Sequence, residues 1–503
     1  MEYRSQRKNV WYPVISNAVL YNGVLPNSLN EPKLNHFELT IELERVLETY
    51  GLYETKEELA HRKQVLWKIS RLAREWVVKM SFEKNIPPSR AALENCKLYT
   101  FGSYRLGVHT KDADIDALLV APNHIERSDF FTSFIETLKL QPEVKNLRAI
   151  EEAYVPVVKF TFENIELDML FARLSFRNIH RHQSLRDVNI LRNLDNRCVR
   201  SLNGCRVTDE ILQLVPNKFT FRLALMAIKL WAKKREIYSN VLGYLGGISW
   251  TMLVAKICQL YPNAASSEIV YNFFLTFSEW PWTRPVLLKE PEDVDLGFEV
   301  WDPRVNVQDR FHLMPIITPS YPHQNSTYNV SLSTKTIIQE EIKRGHEITK
   351  EIIRGKAVWS KLFERPKFFN KYKHFLVLIA SVARKEHQLI WNGLVESKIR
   401  FLITNLEKQP AIAVAHTNPN SFIPVHPETG KVQSMWFIGL RLTREKNVQM
   451  DLTSEIQSFI SAAIYKAVNS NLYKQDMKIV TKHVRKRELN QYLPSRIIKH
   501  KKN

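Results

Sequence analysis

Helical spacing of apolar residues begins near Phe37 and is clearest over Lys56–Lys84, where Leu66, Ile69, Ala73, Trp76 and Met80 recur three and four residues apart. Positions on that spacing share one face, so the segment predicts a long amphipathic helix. The pattern then becomes strand-like. Leu98–Thr100 leads into a Gly-Ser turn, and Ile115–Val120 predicts a strand. Ser128–Leu138 predicts a helix, and Tyr154–Phe160 with Ile165–Phe171 predicts a hairpin closing at Glu163-Asn164. This mixture describes an α/β or α+β sheet domain of roughly 110 residues, a usual domain size. From Asp209 to Asn263 the spacing is helical again, with Phe219–Arg235 its clearest run. Residues 280–330 are rich in Pro and Trp and predict loops on a helical body; Thr336–Lys356 predicts a charged helix. Beyond Arg365-Pro366, the segments Tyr372–Ser381, Asn392–Lys408, Ser434–Leu442 and Leu452–Asn469 predict strand, helix, strand and helix, a compact third α/β domain. Residues 1–37 predict an irregular arm. The tail from Lys478 is basic, with Lys482, Arg485, Lys486, Arg487, Arg496, Lys499, Lys501 and Lys502.

A chain of 503 residues is too long for one hydrophobic core. The net charge of +20 favours a polyanionic partner, with nucleic acid ahead of a membrane surface. Cys96, Cys198, Cys205 and Cys258 form no CxxC pair, which fits reduced thiols of a cytosolic or nuclear protein and offers no zinc site. The polar start MEYRSQRKNV has no apolar run behind it, so no signal peptide is expected, and no run approaches the length of a membrane span.

The chemistry concentrates in residues 101–120, FGSYRLGVHTKDADIDALLV. Asp112, Asp114 and Asp116 stand two apart, a spacing that turns all three carboxylates to one face of a strand. Like charges so placed call for a cation, and divalent metal ions are the usual one. Asp168, in IELDMLF, would add a carboxylate from a neighbouring strand. A D-x-D pair alone is common and as readily a solvated turn. With Gly102-Ser103 about ten residues before it, the set suggests phosphoryl or nucleotidyl transfer.

The order Gly-Ser, Asp-apolar-Asp and a later strand Asp resembles the polymerase-β-like nucleotidyltransferase superfamily. GSYRLGVH, VPVVKF with LDMLFARL, RSLNGCRVTDEIL, AIKLWAKKREIYSN, LGGISW and MPIITPSYP…NSTYNVS, in that order, look like the eukaryotic nuclear poly(A) polymerases over about residues 10–500. The resemblance implies an α+β multidomain chain. It would have a nucleotidyltransferase palm at 63–174, a helical central domain at 175–365 and an RNA-recognition-like α/β domain with the basic tail at 366–503. An N-terminal arm and helices at 1–62 would pack on the central domain.

The same resemblance implies template-independent transfer of AMP from ATP to an RNA 3′-hydroxyl with two divalent ions, Mg²⁺ or Mn²⁺. Asp114, Asp116 and Asp168 would be the catalytic, metal-binding carboxylates. Asp112 stands where the family commonly has Gly, and reads as either a charge behind the metal ligands or a solvent-facing one. Phe101, Gly102, Ser103, Thr110, Asn203, Lys229, Tyr238, Asn240, Gly247 and Ile248 would contact ATP, with Lys229 on the triphosphate and Tyr238 stacked on the adenine. Tyr154, Lys159, Asn329 and Arg400 would contact RNA. The third domain lacks an evident aromatic RNP1 signature, so base reading on its sheet is not expected. The expected setting is the nucleus, as a monomer working with pre-mRNA cleavage and polyadenylation factors and no membrane. Two rivals share the fold: a terminal transferase for another nucleotide such as uridylate, and a non-catalytic RNA-binding scaffold.

Overall fold

The computed structural model describes residues 24–87, 89, 95–180, 182–443 and 451–499. The N-terminal part of the expected arm and the lysines at 501 and 502 lie outside them. Helix α1 (Leu34–Thr49) is followed by α2 (Lys56–Glu83), the long helix that the apolar spacing predicts. Thr55 starts α2 with a reciprocal cap: its hydroxyl accepts from the Glu58 N–H at 3.2 Å, and its own N–H donates to the Glu58 carboxylate at 2.8 Å.

Five strands form the first sheet: β1 (Lys97–Thr100), β2 (Ile115–Ala121), β3 (Val144–Ile150), β4 (Val157–Phe162) and β5 (Ile165–Arg173). Their order is β1-β2-β5-β4-β3, with β2 and β5 parallel and the other neighbours antiparallel. The β4–β5 hairpin turns on Glu163 (φ 47°) and Asn164 (φ 66°), two successive left-handed residues that match the twist of the strands. Tyr154, expected in β4, lies ahead of it in a turn. Strand β3 was not expected; it is a largely exposed edge strand that mixes apolar and polar residues without alternation.

Alternation divides the sheet's residues between two cores. Ile115, Leu119, Val158 and Leu167 pack with Ile69, Ala73 and Trp76 of α2. Leu118, Val120, Leu170 and Ala172 face the other way, against Val199, Leu202 and Cys205 of α4 (Asn196–Leu214). Between β1 and β2 sits the short α3 (Gly102–Leu106).

Three further helices, α5 (Lys218–Lys234), α6 (Gly247–Leu260) and α7 (Ser266–Glu279), pack on one another; α5 and α7 also meet α1, and α7 meets α8 (Leu332–Ile353). The Pro- and Trp-rich stretch between α7 and α8 is irregular apart from a 3₁₀ turn at Val307–Phe311. Among the described residues no single helix is long and apolar enough to cross a membrane.

The last region runs β6 (His374–Val382), α9 (Lys385–Leu406), β7 (Ile412–Thr417), β8 (Val432–Leu442), α10 (Thr453–Asn469) and β9 (Lys478–Arg485). Its sheet order is β7-β8-β6-β9, all antiparallel. Strands β7 and β9 are additions to the sequence reading, and β9 takes up the start of the basic tail. One face of this sheet packs on α9 and α10. The other is covered by the chain's own Phe368, Phe369, Tyr372, Phe422, Leu489 and Leu493. The α9 side is continuous with the helical body: Ile337, Ile338 and Ile342 of α8 belong to the same buried cluster as Leu376, Trp391 and Trp436.

Candidate active site

The parallel register of β2 on β5 sets Asp116 beside Asp168, and the antiparallel register of β4 on β5 sets Lys159 beside Asp168. Asp116 shares its face of β2 with Leu118 and Val120, so the row of carboxylates continues the apolar face that α4 covers. Asp114 stands two residues earlier. One carboxylate oxygen from each of Asp114, Asp116 and Asp168 lies within 4.8 Å of the other two. Burial, then the charges of Asp114 and Asp168, push the Asp116 carboxyl up to about 7, while Lys159 and Lys229 pull it down. Lys159 pairs with the Asp168 carboxylate.

Asp112 does not join this group. The strand starts only at Ile115, and Asp112 sits in the turn where the Ala113 N–H donates to the Thr110 carbonyl at 2.9 Å. Strand alternation does not reach it; Asp114 also precedes the strand but still converges with Asp116 and Asp168, so two of the three successive aspartates share the site.

Gly102 is fixed by what lies against it. Its φ is +61°, and a Cβ there would stand 2.1 Å from Asp116 Oδ2, so both the backbone and the close approach require glycine. Its N–H donates to Thr208 Oγ1 at 3.3 Å, and Thr208 in turn donates to the Gly204 carbonyl at 2.7 Å. The backbone amide of Gly102, a residue expected to contact ATP, is thus engaged by α4. Ser103 is half-buried beside it. The Phe101 ring lies on Gly204, where a Cβ would meet it at 2.7 Å. Asn203, the neighbouring α4 residue, has a buried Oδ1 with no hydrogen-bond donor.

Lys229 of α5 donates to the Val108 carbonyl at 3.1 Å. Burial, then Lys233, bring its pKa down to about 8, against the pull of Asp116 and Asp114. With Thr110, Asp112, Lys111, Lys233 and the Tyr50–Leu52 turn it lines a cleft of about 220 Å³. Lys233 was missed in the sequence, although AIKLWAKK places it one helical turn after Lys229, on the same face.

Tyr238 packs its hydroxyl on the N-terminus of α6, where a Cβ on Gly247 would come within 2.6 Å of it. Burial, then Asp114 and Asp116, push its phenol up to about 12. Ile248 follows Gly247, half-buried. Asn240 donates to the Ser326 carbonyl at 3.2 Å and accepts from Asn329 Nδ2 at 2.7 Å. Arg400 donates to Asn329 Oδ1, so Asn240, Asn329 and Arg400 form one connected set. Tyr154 belongs to the sheet region instead: it is 70% exposed, with the Arg200 guanidinium 3.9 Å above its ring. Arg200 is a second residue that sequence reading missed, since only the fold brings α4 over the loop before β4.

Comparison with known proteins identifies the family. Residues 25–215 match the model of the poly(A) polymerase nucleotidyltransferase domain and 220–365 that of the poly(A) polymerase central domain. Residues 367–434 and 427–503 match the poly(A) polymerase predicted RNA binding domain. A poly(A) polymerase of Dictyostelium discoideum is 41% identical over 92% of this chain, which spans 58% of that protein's length. Poly(A) polymerase PAPalpha of Candida albicans is 44% identical over 81% of the chain and 73% of its own length. A poly(A) polymerase of Schizosaccharomyces pombe is 46% identical over 76% of the chain and 67% of its own. With three family domains in order along an α+β multidomain fold, and these relatives at 41–46% identity, the chain belongs to the eukaryotic poly(A) polymerase family.

Proposed function

We propose that this protein adds AMP from ATP to the 3′-hydroxyl of RNA without a template, as in mRNA 3′-end polyadenylation. The convergence of Asp114, Asp116 and Asp168, in a chain whose relatives are named poly(A) polymerases, carries the reading. The donors are all carboxylate oxygens, and the middle one is raised to about 7 by burial and then by its two neighbours, which fits a hard divalent cation, Mg²⁺ or Mn²⁺. When bound, two such ions would lower the pKa of the attacking hydroxyl and neutralise charge building on the phosphorus.

The chain's own groups supply the rest. The 3′-oxygen attacks the α-phosphorus, the bond from that phosphorus to the β-phosphate oxygen breaks, and pyrophosphate leaves with the electron pair. Asp168, bordering Lys159, accepts the hydroxyl proton. Lys229, with a pKa of about 8, is cationic at neutral pH and meets the triphosphate in the cleft beside Thr110. Phe101, Tyr238, Gly247 and Ile248 bound the nucleotide by shape, Asn203 Oδ1 offers an acceptor for a sugar hydroxyl, and Gly102 and Ser103 shape the turn beside it. Asn240 holds Asn329 and Arg400 on one side, with Tyr154 and Lys159 on the other, to guide the RNA.

The test is extension of oligo(A) with each of the four nucleotides, with and without chelator. ATP-dependent, chelator-sensitive extension is expected. A primer extended mainly with UTP would replace the reading by uridylyl transfer, and RNA binding without extension would replace it by a scaffold. A nuclear location, work as a monomer and docking of cleavage and polyadenylation factors belong to the same reading. Imaging, light scattering and pull-down from nuclear extract test them in turn.

A further inference from the structure

Asp112 faces the lysine-lined cleft and not the carboxylate triad. On one wall of that cleft Lys229 and Lys233 project from α5. Val108, Thr110, Lys111 and Asp112 line it as well, with the Tyr50–Leu52 turn. Lys111 is committed elsewhere, its Nζ lying 2.9 Å from Glu58 Oε1. Asp112 is exposed, and the charge acting with it is that of the adjacent Lys111. A carboxylate whose neighbouring Lys111 is already paired with Glu58 therefore borders the space in which two lysines would hold the β- and γ-phosphates. This rests on reading the cleft as the triphosphate site, given above.

We infer that Asp112 weakens the cleft's hold on pyrophosphate and so speeds product release and opposes the reverse reaction. In that reverse step a pyrophosphate oxygen attacks the 3′-terminal phosphodiester, re-forms ATP and frees the preceding 3′-hydroxyl. Two lysines alone would retain a polyanion well. Forward cleavage moves the bridging oxygen's electron pair onto the leaving group, which then carries one more negative charge than it did within ATP. A fixed carboxylate at the cleft wall repels the product more than the substrate for that reason. ATP is also anchored through its base and sugar, whereas pyrophosphate has only its charge.

The test is product inhibition of oligo(A) extension by pyrophosphate, comparing wild type with the isosteric Asp112→Asn and with Asp112→Gly. Both variants should lower the pyrophosphate inhibition constant by about three- to ten-fold, a modest factor because the carboxylate is exposed to water and salt. The KM for ATP should fall by a smaller factor, and the difference should shrink as salt is raised. Lys233→Gln should shift pyrophosphate inhibition in the opposite direction. An inhibition constant that does not move, or a KM for ATP that moves equally, overturns the inference. If the wild-type protein makes no product from ATP, the reading of the cleft fails first and takes this one with it.

Discussion

The two sheets of this molecule are put to opposite uses. The five-stranded sheet carries a polar row, Asp116, Asp168 and Lys159, on three adjacent strands. The four-stranded sheet has the strand order of an RNA-recognition fold, yet its outer face is apolar and sealed by the chain's own aromatic residues. Its cations lie on edge strand β9, where Lys478, Lys482 and Arg485 are exposed. A sheet order thus does not say where a ligand goes; what covers each face does.

The sharpest break of this contrast comes from the polar row. Asp114→Ala should lower extension by at least about a thousand-fold while RNA binding persists, because it removes stabilisation needed only at the reacting phosphorus. Extension near the wild-type rate would remove the metal assignment. On the sealed face the opposite holds. Phe437 is fully buried there, so Phe437→Ala should destabilise the protein by about 3–5 kcal/mol in a denaturant titration, with the KM for ATP unmoved. If that variant instead lost RNA affinity at full stability, the covered face would be a binding face after all.

Gly102→Ala tests how closely the first sheet is built around its charges. The added methyl meets Asp116 Oδ2 in a left-handed backbone, and a fall of about a hundred-fold in kcat is expected, visible by single-turnover extension. A smaller effect is expected where the helical body meets the second sheet. The Glu236 carboxylate accepts from Asn418 and Asn420, both at 2.9 Å, and burial raises it to about 7. A carboxyl raised on folding contributes stability that is full below its unfolded pKa and is lost as pH rises through about 7. Glu236→Gln should therefore flatten a decline of about 1–2 kcal/mol between pH 5 and 8. An identical pH profile in the variant would show that Glu236 ionises freely. Least of all, Lys482→Gln on β9 should weaken RNA binding only two- to three-fold and lower its salt slope by about one.

What could be read in the sequence follows from the range of the forces involved. Strand alternation and the nearby Gly-Ser turn are local signals and marked residues 101–120, whereas the choice of Asp114, Asp116 and Asp168 came from the family resemblance, since Asp114 itself precedes the strand. Spacing alone put Asp112 on the same face and only the resemblance set it apart, because spacing does not tell where a strand begins, and the Thr110–Ala113 turn precedes it. Strand β3 was hidden because an exposed edge strand needs no apolar pattern. Strand β9 was hidden by its charge, since KIVTKHVR reads as a basic tail until β6 pairs with it. The Arg200–Tyr154 stack and the Asn418–Glu236 bond join residues far apart in the chain, and no spacing rule reaches them.

One feature of the fold bears on how the molecule comes apart. Helix α8 and the second sheet share a single buried cluster, while the first sheet has two clusters of its own. Parts that share a core melt together. A calorimetric scan should accordingly show two cooperative transitions where the sequence suggests three domains. The C-terminal sheet, expressed from residue 366 alone, would lose the cover that α8 gives strand β7 and gather into aggregates through the apolar surface laid bare there.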